Sequence, residues 1–185
     1  SYRLVGSEMC IRDSPDADCA ACPTLAQAGD CCRIEKVSGR HRTVHTEIEI
    51  DAPPEAVWAV LTDWERLPEW SPTIQGMAGD ITDGGQVVVD YVHPGNGKML
   101  VIDHTLIYTE GQVFGWSDPV VGGVRDHHLF RVEALPDGRT RFLQTDEVKG
   151  GLLSRRLGPT LSGLLLDSYL AFNTALKAEV EGAEG

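Results

Sequence analysis

The fold is decided by residues 43–72, which read TVHTEIEIDAPPEAVWAVLTDWERLPEWSP. In the first part, apolar Ile48 and Ile50 alternate with polar residues, which is the period-two pattern of a strand with one buried face. Two prolines then precede an apolar run over residues 56–61 that has helical spacing. The stretch therefore predicts a strand followed directly by a helix, with a second short helix over residues 64–70.

The chain that follows alternates β-type segments with turn signals such as Asp83-Gly84-Gly85 and Pro136-Asp137-Gly138. The connections are too short for crossover helices, so the sheet is predicted to be antiparallel. Apolar residues spaced by three and four then predict a long amphipathic helix over residues 159–181. The expected fold class is α+β of the helix-grip type: a curved antiparallel sheet wrapped around a long C-terminal helix, with two short helices after the first strand. The predicted strands cover residues 73–77, 86–92, 98–108, 112–117, 124–135 and 140–148.

Composition narrows the classes of function. The 185 residues carry 16 Lys and Arg against 28 Asp and Glu, a formal net charge of −12. Because binding to phosphate requires a basic surface, this balance argues against DNA, RNA and anionic membranes as partners. No apolar run reaches the roughly 18 to 20 residues that a membrane-spanning helix needs. A single cytoplasmic domain is the expectation, and the sequence does not indicate an oligomeric state.

Residues 1–42 have no clear helical or strand period and are predicted to be disordered, with the folded domain covering residues 43–182. Within them, LVGSEMCIRDS at residues 4–14 resembles translated sequencing-adapter read-through, which makes residues 1–14 a candidate artefact. All cysteines lie in this segment: Cys10, Cys19, Cys22, Cys31 and Cys32. Four of them could surround a zinc ion, but adjacent Cys31 and Cys32 cannot easily face one metal, so free thiols are the favoured interpretation and no metal is predicted.

Three stretches of the chain resemble the SRPBCC superfamily, also called START-like or birch-pollen-allergen-like, and within it the bacterial polyketide cyclase/dehydrase-like proteins. They are IDAPPEAVWAVLTDWERLPEWSP at residues 50–72, HLFRVEALPDGRTRFLQTDEVKGGLL at 128–153 and AFNTALKAEVE at 171–181. The resemblance implies a helix-grip fold with an elongated cavity for apolar or amphipathic molecules between the sheet and the last helix. It also implies functional roles at the positions of His128 and Asp146, although the family pattern has Glu at the second position. It does not fix an activity, because the superfamily contains both carriers and enzymes.

The turn at Pro136-Asp137-Gly138 sets the register of the last two strands. A type I turn followed by a glycine bulge pairs Leu135 with Arg139, so opposed residues have numbers that sum to 274. His128 is then opposite Asp146, and Gln144 is their neighbour on the same apolar face. Buried polar groups on such a face cost about 1–3 kcal/mol each unless they are bonded to one another, to water or to a ligand. This polar trio is the candidate site.

Three interpretations of the trio remain open. His128 and Asp146 could satisfy each other as a structural pair, could orient a ligand, or could act together as an acid–base pair if the protein is an enzyme. No motif indicates a cofactor. The predicted ligand-binding residues combine the trio with nearby aromatic side chains: Trp70, Trp116, His128, Phe130, Phe142, Gln144, Asp146, Tyr169 and Phe172.

Three functions are consistent with this sequence. The favoured one is binding of an apolar or aromatic small molecule in the internal cavity. The second is a cyclase, dehydratase or hydrolase-like activity that uses His128 and Asp146. The third is a protein-interaction module with no ligand. An open cavity lined by the polar trio would separate the first two from the third.

Overall fold

The structure of the protein is a computed structural model that describes residues 11–12, 31–119, 123–151 and 154–182. In these residues, nine strands and three helices follow one another along the chain. The elements are β1 (Ile11–Arg12), β2 (Cys31–Ser38), β3 (His41–Ile50), α1 (Pro54–Leu61), α2 (Leu67–Trp70), β4 (Ile74–Gly79), β5 (Gln86–Val92), β6 (Met99–Thr109), β7 (Val113–Pro119), β8 (Val124–Ala134), β9 (Thr140–Gly150) and α3 (Ser154–Gly182).

The strands form a single sheet in the order β1-β2-β3-β9-β8-β7-β6-β5-β4. All neighbours are antiparallel except the two-residue strand β1, which runs parallel to β2. Side chains of β3 and of β5 belong to one apolar cluster together with Phe172, Leu176 and Val180 of α3. A flat sheet would separate β3 from β5 by about 24 Å, since neighbouring strands are about 4.8 Å apart. The sheet is therefore strongly curved around α3, which is the predicted helix-grip arrangement.

The register of β8 and β9 is the predicted one. His128 is opposite Asp146, Phe130 opposite Gln144, and Val132 opposite Phe142. At the turn, Leu135 N–H donates to the carbonyl of Arg139 at 2.8 Å, and Gly138 has a φ of +87°. That left-handed conformation is why the third loop residue is glycine.

The helices follow the predicted pattern with shifted ends. α1 begins at Pro54, two residues before the predicted apolar run, and the Pro53 carbonyl accepts from Ala56 N–H at 3.0 Å. Asp51 N–H, before the helix, donates to Glu181. α3 begins at Ser154, so Pro159 lies inside it. None of the described helices is both long and apolar enough to cross a bilayer.

The prediction that residues up to 42 are disordered is wrong for 31–38, because they form β2 and pair along β3 from Cys31 opposite Glu47 to Ser38 opposite His41. The strand was missed because both Cys31 and Cys32 are buried, which hides the alternation that marks a strand. The free-thiol interpretation is also wrong for these two cysteines, which are disulfide-bonded. Cys10, Cys19 and Cys22 lie outside the described residues.

Candidate functional site

A cavity of about 200 Å³ lies between the concave face of the sheet and α3. Its wall is mainly apolar, with side chains from β6, β8, β9 and α3 that include Ile102, Phe130, Val148 and Leu165. Thr73, Val92, Pro94 and Ser168 belong both to this cavity and to an outer groove of about 310 Å³. The cavity therefore continues outward between the β5–β6 hairpin and α3.

A chain of hydrogen bonds runs across one side of the cavity from β8 to α3 and β3. His128 Nε2 is 3.0 Å from Gln144 Oε1. The Gln144 amide nitrogen donates to Asn173 Oδ1 at 2.5 Å and to the Tyr169 carbonyl at 3.3 Å. Asn173 in turn donates to Thr46 Oγ1 at 3.1 Å. Because the Gln144 nitrogen contacts two acceptors, its oxygen must face His128, and His128 must carry its proton on Nε2.

His128 is held as a neutral base in an aromatic environment. Its side chain is 5% exposed, and its ring lies 4.2 Å from that of Phe130 and 4.4 Å from that of Tyr169 between centroids. Burial lowers the pKa of His128 to about 4, against the opposing pull of the Asp146 charge. With the proton fixed on Nε2, the Nδ1 atom keeps a lone pair that can accept a hydrogen bond.

Asp146 is 1% exposed and has two differently satisfied oxygens. Oδ2 accepts a hydrogen bond from the Tyr169 hydroxyl at 2.5 Å, whereas no donor in the described part of the chain reaches buried Oδ1. The carboxyl of Asp126 is within hydrogen-bonding reach of Asp146, and such a bond forms only if one of the two acids keeps its proton. Burial, reinforced by the Asp146 charge, raises the pKa of Asp126 far above its usual range.

A second set of hydrogen-bonded polar side chains, on the same face of the sheet, links β5, β6 and β7. The Tyr91 hydroxyl is 3.0 Å from His104 Nε2, and His104 Nδ1 is 3.0 Å from Asp118 Oδ2. Since Asp118 accepts, His104 donates from Nδ1 and accepts from Tyr91 through Nε2. Burial lowers the pKa of His104 despite the adjacent carboxylate, so this imidazole is also neutral near pH 7.

The structure brings six of the predicted ligand-binding residues to the cavity wall: Trp116, His128, Phe130, Gln144, Asp146 and Tyr169. Three others pack in the core instead. Phe172 lies against both Trp70 and Phe142, with ring centroids 5.2 Å and 6.2 Å away, and none of the three borders the cavity. Trp70 therefore does not line the cavity as predicted, because α2 turns this side chain towards Phe172 of α3.

His128 and Asp146 are opposite each other as predicted but do not bond to each other. His128 bonds to Gln144 and Asp146 to Tyr169. The interpretation in which His128 and Asp146 satisfy each other as a structural pair is therefore not supported. Both side chains instead face the cavity with one uncommitted acceptor atom each.

Asp126 and Asp118 were missed by sequence reasoning. Asp126 precedes His128 by two residues, and side chains two apart on a strand share a face, so the alternation already applied to β8 would have placed Asp126 in the cavity. Asp118 lies opposite Asp126 in the β7–β8 register. That pairing follows only once the loop between β7 and β8 is known.

Cys31, His45 and Glu47 have side-chain atoms close enough together to suggest a metal site. Cys31 is disulfide-bonded, however, and does not supply the thiolate that a metal requires. The cluster lies on β2 and β3, on the face opposite Cys32 and Thr46. It is therefore separate from the cavity.

Known proteins share this fold. A START superfamily protein from Mycobacterium smegmatis is 21% identical, with a TM-score of 0.59 over 76% of this chain and 98% of that one. The Zhui aromatase/cyclase from Streptomyces sp. R1128 is 18% identical, with a TM-score of 0.59 over 76% and 94% of the two chains. Ara h 8.0201 is 17% identical, with a TM-score of 0.57 over 77% and 99%. Comparison with curated protein sequences gave no match.

The family model described as "Polyketide cyclase / dehydrase and lipid transport" matches residues 41–181. This range runs from the start of β3 almost to the end of α3 and contains every described residue of the cavity wall. The chain therefore belongs to the polyketide cyclase/dehydrase and lipid transport family.

Proposed function

We propose that the protein binds an apolar or aromatic small molecule with one polar end in the cavity beneath α3. The observation that carries the proposal is an internal space of about 200 Å³ with a mainly apolar wall, in which polar side chains are clustered at His128, Gln144, Asp126 and Asp146 and at Tyr91 and His104. An apolar cavity of about 150 Å³ accepts a benzene molecule, so this one is large enough for a substituted aromatic ring. A longer ligand would extend into the outer groove.

The family and fold support a ligand rather than a purely structural role. The matched family description combines cyclase, dehydrase and lipid transport activities, all of which act on apolar or amphipathic molecules. Buried acceptor atoms normally have a hydrogen-bond donor, so an acceptor such as Asp146 Oδ1 beside an open cavity favours a ligand over an interaction module without one.

Calorimetric titration with 2-naphthol and with indole tests the proposal, because both are apolar aromatic molecules with one polar group. We expect saturable binding at one site. Leu165 lines the cavity, so Leu165→Trp should fill it and weaken binding at least tenfold. Leu157→Trp is the matched control, because Leu157 lies on the same helix but is 54% exposed. The proposal fails if neither probe binds, or if Leu165→Trp binds them as wild type does.

Acid–base catalysis is a second candidate function, favoured by the contact between the Asp126 and Asp146 carboxyls. An acid that keeps its proton at neutral pH can donate it, and the Nδ1 lone pair of neutral His128 can accept one. This differs from the expected His128–Asp146 pair, since the proton donor would be Asp126. Turnover of a model β-hydroxyketone by wild type, and its loss in Asp126→Asn with binding retained, would support this activity.

A further inference from the structure

The described wall of the cavity carries acidic side chains without a lysine or arginine to balance them. The titratable groups of its wall are Tyr91 of β5, His104 of β6, Asp126 and His128 of β8, Asp146 of β9 and Tyr169 of α3. Asp118 of β7 bonds to His104 from outside the lining. Neither lysine nor arginine occurs among its described lining residues. Both imidazoles are neutral near pH 7, because their burial lowers the pKa of each. Among the described residues of the wall, the charges are therefore negative.

The carboxyls of Asp126 and Asp146 lie on one face of adjacent strands. Asp146 is opposite His128, and Asp126 is two residues before His128, so the two acids are diagonal neighbours. Such neighbours are close enough for their side chains to meet. A single shared proton would leave the pair with one negative charge in an apolar wall, where an uncompensated charge is costly.

The Oδ1 atom of Asp146 independently indicates that the cavity lacks a hydrogen-bond donor. The side chain is 99% buried, since its exposure is 1%, and it borders the cavity, yet no described donor reaches this oxygen. Buried carboxylate oxygens without a donor are rare in folded proteins. Apart from a proton shared with Asp126, this oxygen has no donor among the described residues. A hydrogen-bond donor that enters the cavity would satisfy it, and a charged donor would do so best.

We propose that the ligand of this cavity carries a primary ammonium group on an aromatic body, with the ammonium bound between Asp126 and Asp146. This inference rests on the proposed binding function and specifies its ligand class. An ammonium group offers three N–H donors, enough for Asp146 Oδ1 and for the Asp126 carboxyl. Its charge neutralises the single negative charge of the acid pair.

Aromatic side chains provide matching contacts for such a ligand. The rings of Trp116 and Phe130 line the cavity, and the Trp116 centroid lies 5.6 Å from those of both His128 and Phe130. A cation near the face of an indole is attracted by the ring quadrupole, and the body of the ligand can pack on the same rings. An anionic ligand of the same shape would instead be repelled by the acid pair.

A matched ligand series tests the inference at pH 7: 2-phenylethylamine, 2-phenylethanol and phenylacetate, which share a ring and differ in the charge of the polar end. By calorimetry, we expect the amine to bind wild type at least tenfold more tightly than the alcohol, and phenylacetate to show no binding. Asp126→Asn and Asp146→Asn should reduce the preference for the amine to threefold or less. Asp103→Asn, on the solvent face of β6, is the control and should leave the preference unchanged.

Equal binding of amine and alcohol by wild type, or an unchanged preference in both cavity variants, would overturn the inference. The two proposals fail separately: if 2-naphthol and indole bind but the amine has no advantage, only the ammonium assignment is wrong. If 2-naphthol, indole and all three phenyl compounds fail to bind, the binding function itself is wrong. Should Asp146→Asn not fold, as judged by circular dichroism, the wild-type series and Asp126→Asn decide the question.

Discussion

Asn173 of α3 accepts a hydrogen bond from the Gln144 amide of β9 and donates one to the Thr46 hydroxyl of β3. All three side chains are at most 1% exposed. The helix is thereby attached to two neighbouring strands by polar groups at the point where the apolar core gives way to the cavity. Because Gln144 and Asn173 each accept one hydrogen bond and donate another in this chain, removing either leaves buried partners unsatisfied.

Asn173→Ala is expected to lower the free energy of unfolding by about 2 kcal/mol, since one buried N–H of Gln144 and the buried Thr46 hydroxyl oxygen lose their hydrogen-bond partner. Thr174→Ala is the matched control: the neighbouring side chain is exposed and bonds only to the Leu170 carbonyl of its own helix. Its effect should stay within about 0.5 kcal/mol. Urea denaturation followed by circular dichroism measures both, and equal stabilities of the two variants would contradict the role given to Asn173.

The pH dependence of stability should contain a contribution from His128. Its folded-state pKa is lowered from 6.5 to about 4, so the unfolded chain binds a proton on this residue in a pH range where the folded chain does not. Stability from this group is complete above pH 6.5 and is lost as the pH falls towards 4, by at most about 1.4 kcal/mol per pH unit. His128→Gln removes this loss. Although it is less stable than wild type at pH 7, the difference should narrow by about 2–3 kcal/mol at pH 4.

His127→Gln is the control for this titration, because His127 is the adjacent residue on the opposite face of β8. Its urea denaturation midpoints should run parallel to those of wild type between pH 7 and 4. A difference between wild type and His128→Gln that does not change with pH would show that His128 is not a buried neutral base.

Asp126 should have the opposite effect on stability. Burial, and then the charge of Asp146, raise its folded-state pKa above the usual value of 3.8. Stability from this group is complete below about pH 4 and is lost as the pH rises through neutrality, because the folded chain must keep a proton that the unfolded chain releases. Asp126→Asn should therefore match wild type at pH 4 and exceed its stability at pH 8. The slope of the difference cannot exceed about 1.4 kcal/mol per pH unit.

Thermal unfolding of wild type, Asp126→Asn and Asp103→Asn at pH 4, 6 and 8 measures this difference. Asp103 is exposed on the other face of the sheet, so its variant should follow wild type at each pH. If Asp126→Asn were less stable than wild type at pH 8, Asp126 would have to be ionised in the folded protein, with a favourable partner for its charge.

Local signals were sufficient for the fold of residues 43–182 and for half of the candidate site, but not for β2. Alternation and a single turn at Pro136-Asp137-Gly138 fixed which residues of β8 and β9 share a face, and this placed His128, Gln144 and Asp146 together before any coordinates. Their actual partners could not be predicted. Tyr169 and Asn173 reach Asp146 and Gln144 from a helix whose rotation about its axis depends on packing against β3, which no short-range pattern reveals.

The aromatic residues illustrate the same limit. As aromatic residues, Trp116 and Phe172 were both predicted to line the cavity. Trp116 does so, whereas Phe172 packs against Trp70 and Phe142 in the core. For a strand residue, the alternation of side chains along the strand predicts which face of the sheet it lies on. A residue of α2 or α3 is placed by long-range contacts, so its position relative to the cavity becomes known only from the assembled structure.

Gly115 of β7 allows the close approach of β8 on which the cavity geometry depends. A Cβ atom at this position would lie 2.0 Å from the His128 carbonyl oxygen and 2.9 Å from the Leu129 Cα. Both contacts are with backbone, so the strands would have to separate at the residue that carries the imidazole. Gly115→Ala is expected to cost about 3 kcal/mol of stability, at the upper end of overpacking effects, and to weaken binding of 2-naphthol.

Gly163→Ala is the matched control, because a Cβ at this helical position meets no atom within 4 Å. Alanine has the higher helix propensity, so this variant should gain up to about 1 kcal/mol and bind 2-naphthol as wild type does. Chemical denaturation should show a loss of stability in Gly115→Ala and a gain in Gly163→Ala. Calorimetry then measures the binding of 2-naphthol by both variants. If Gly115→Ala is as stable as Gly163→Ala, the β7–β8 spacing can relax without cost, and the position of His128 is not fixed by the strand beside it.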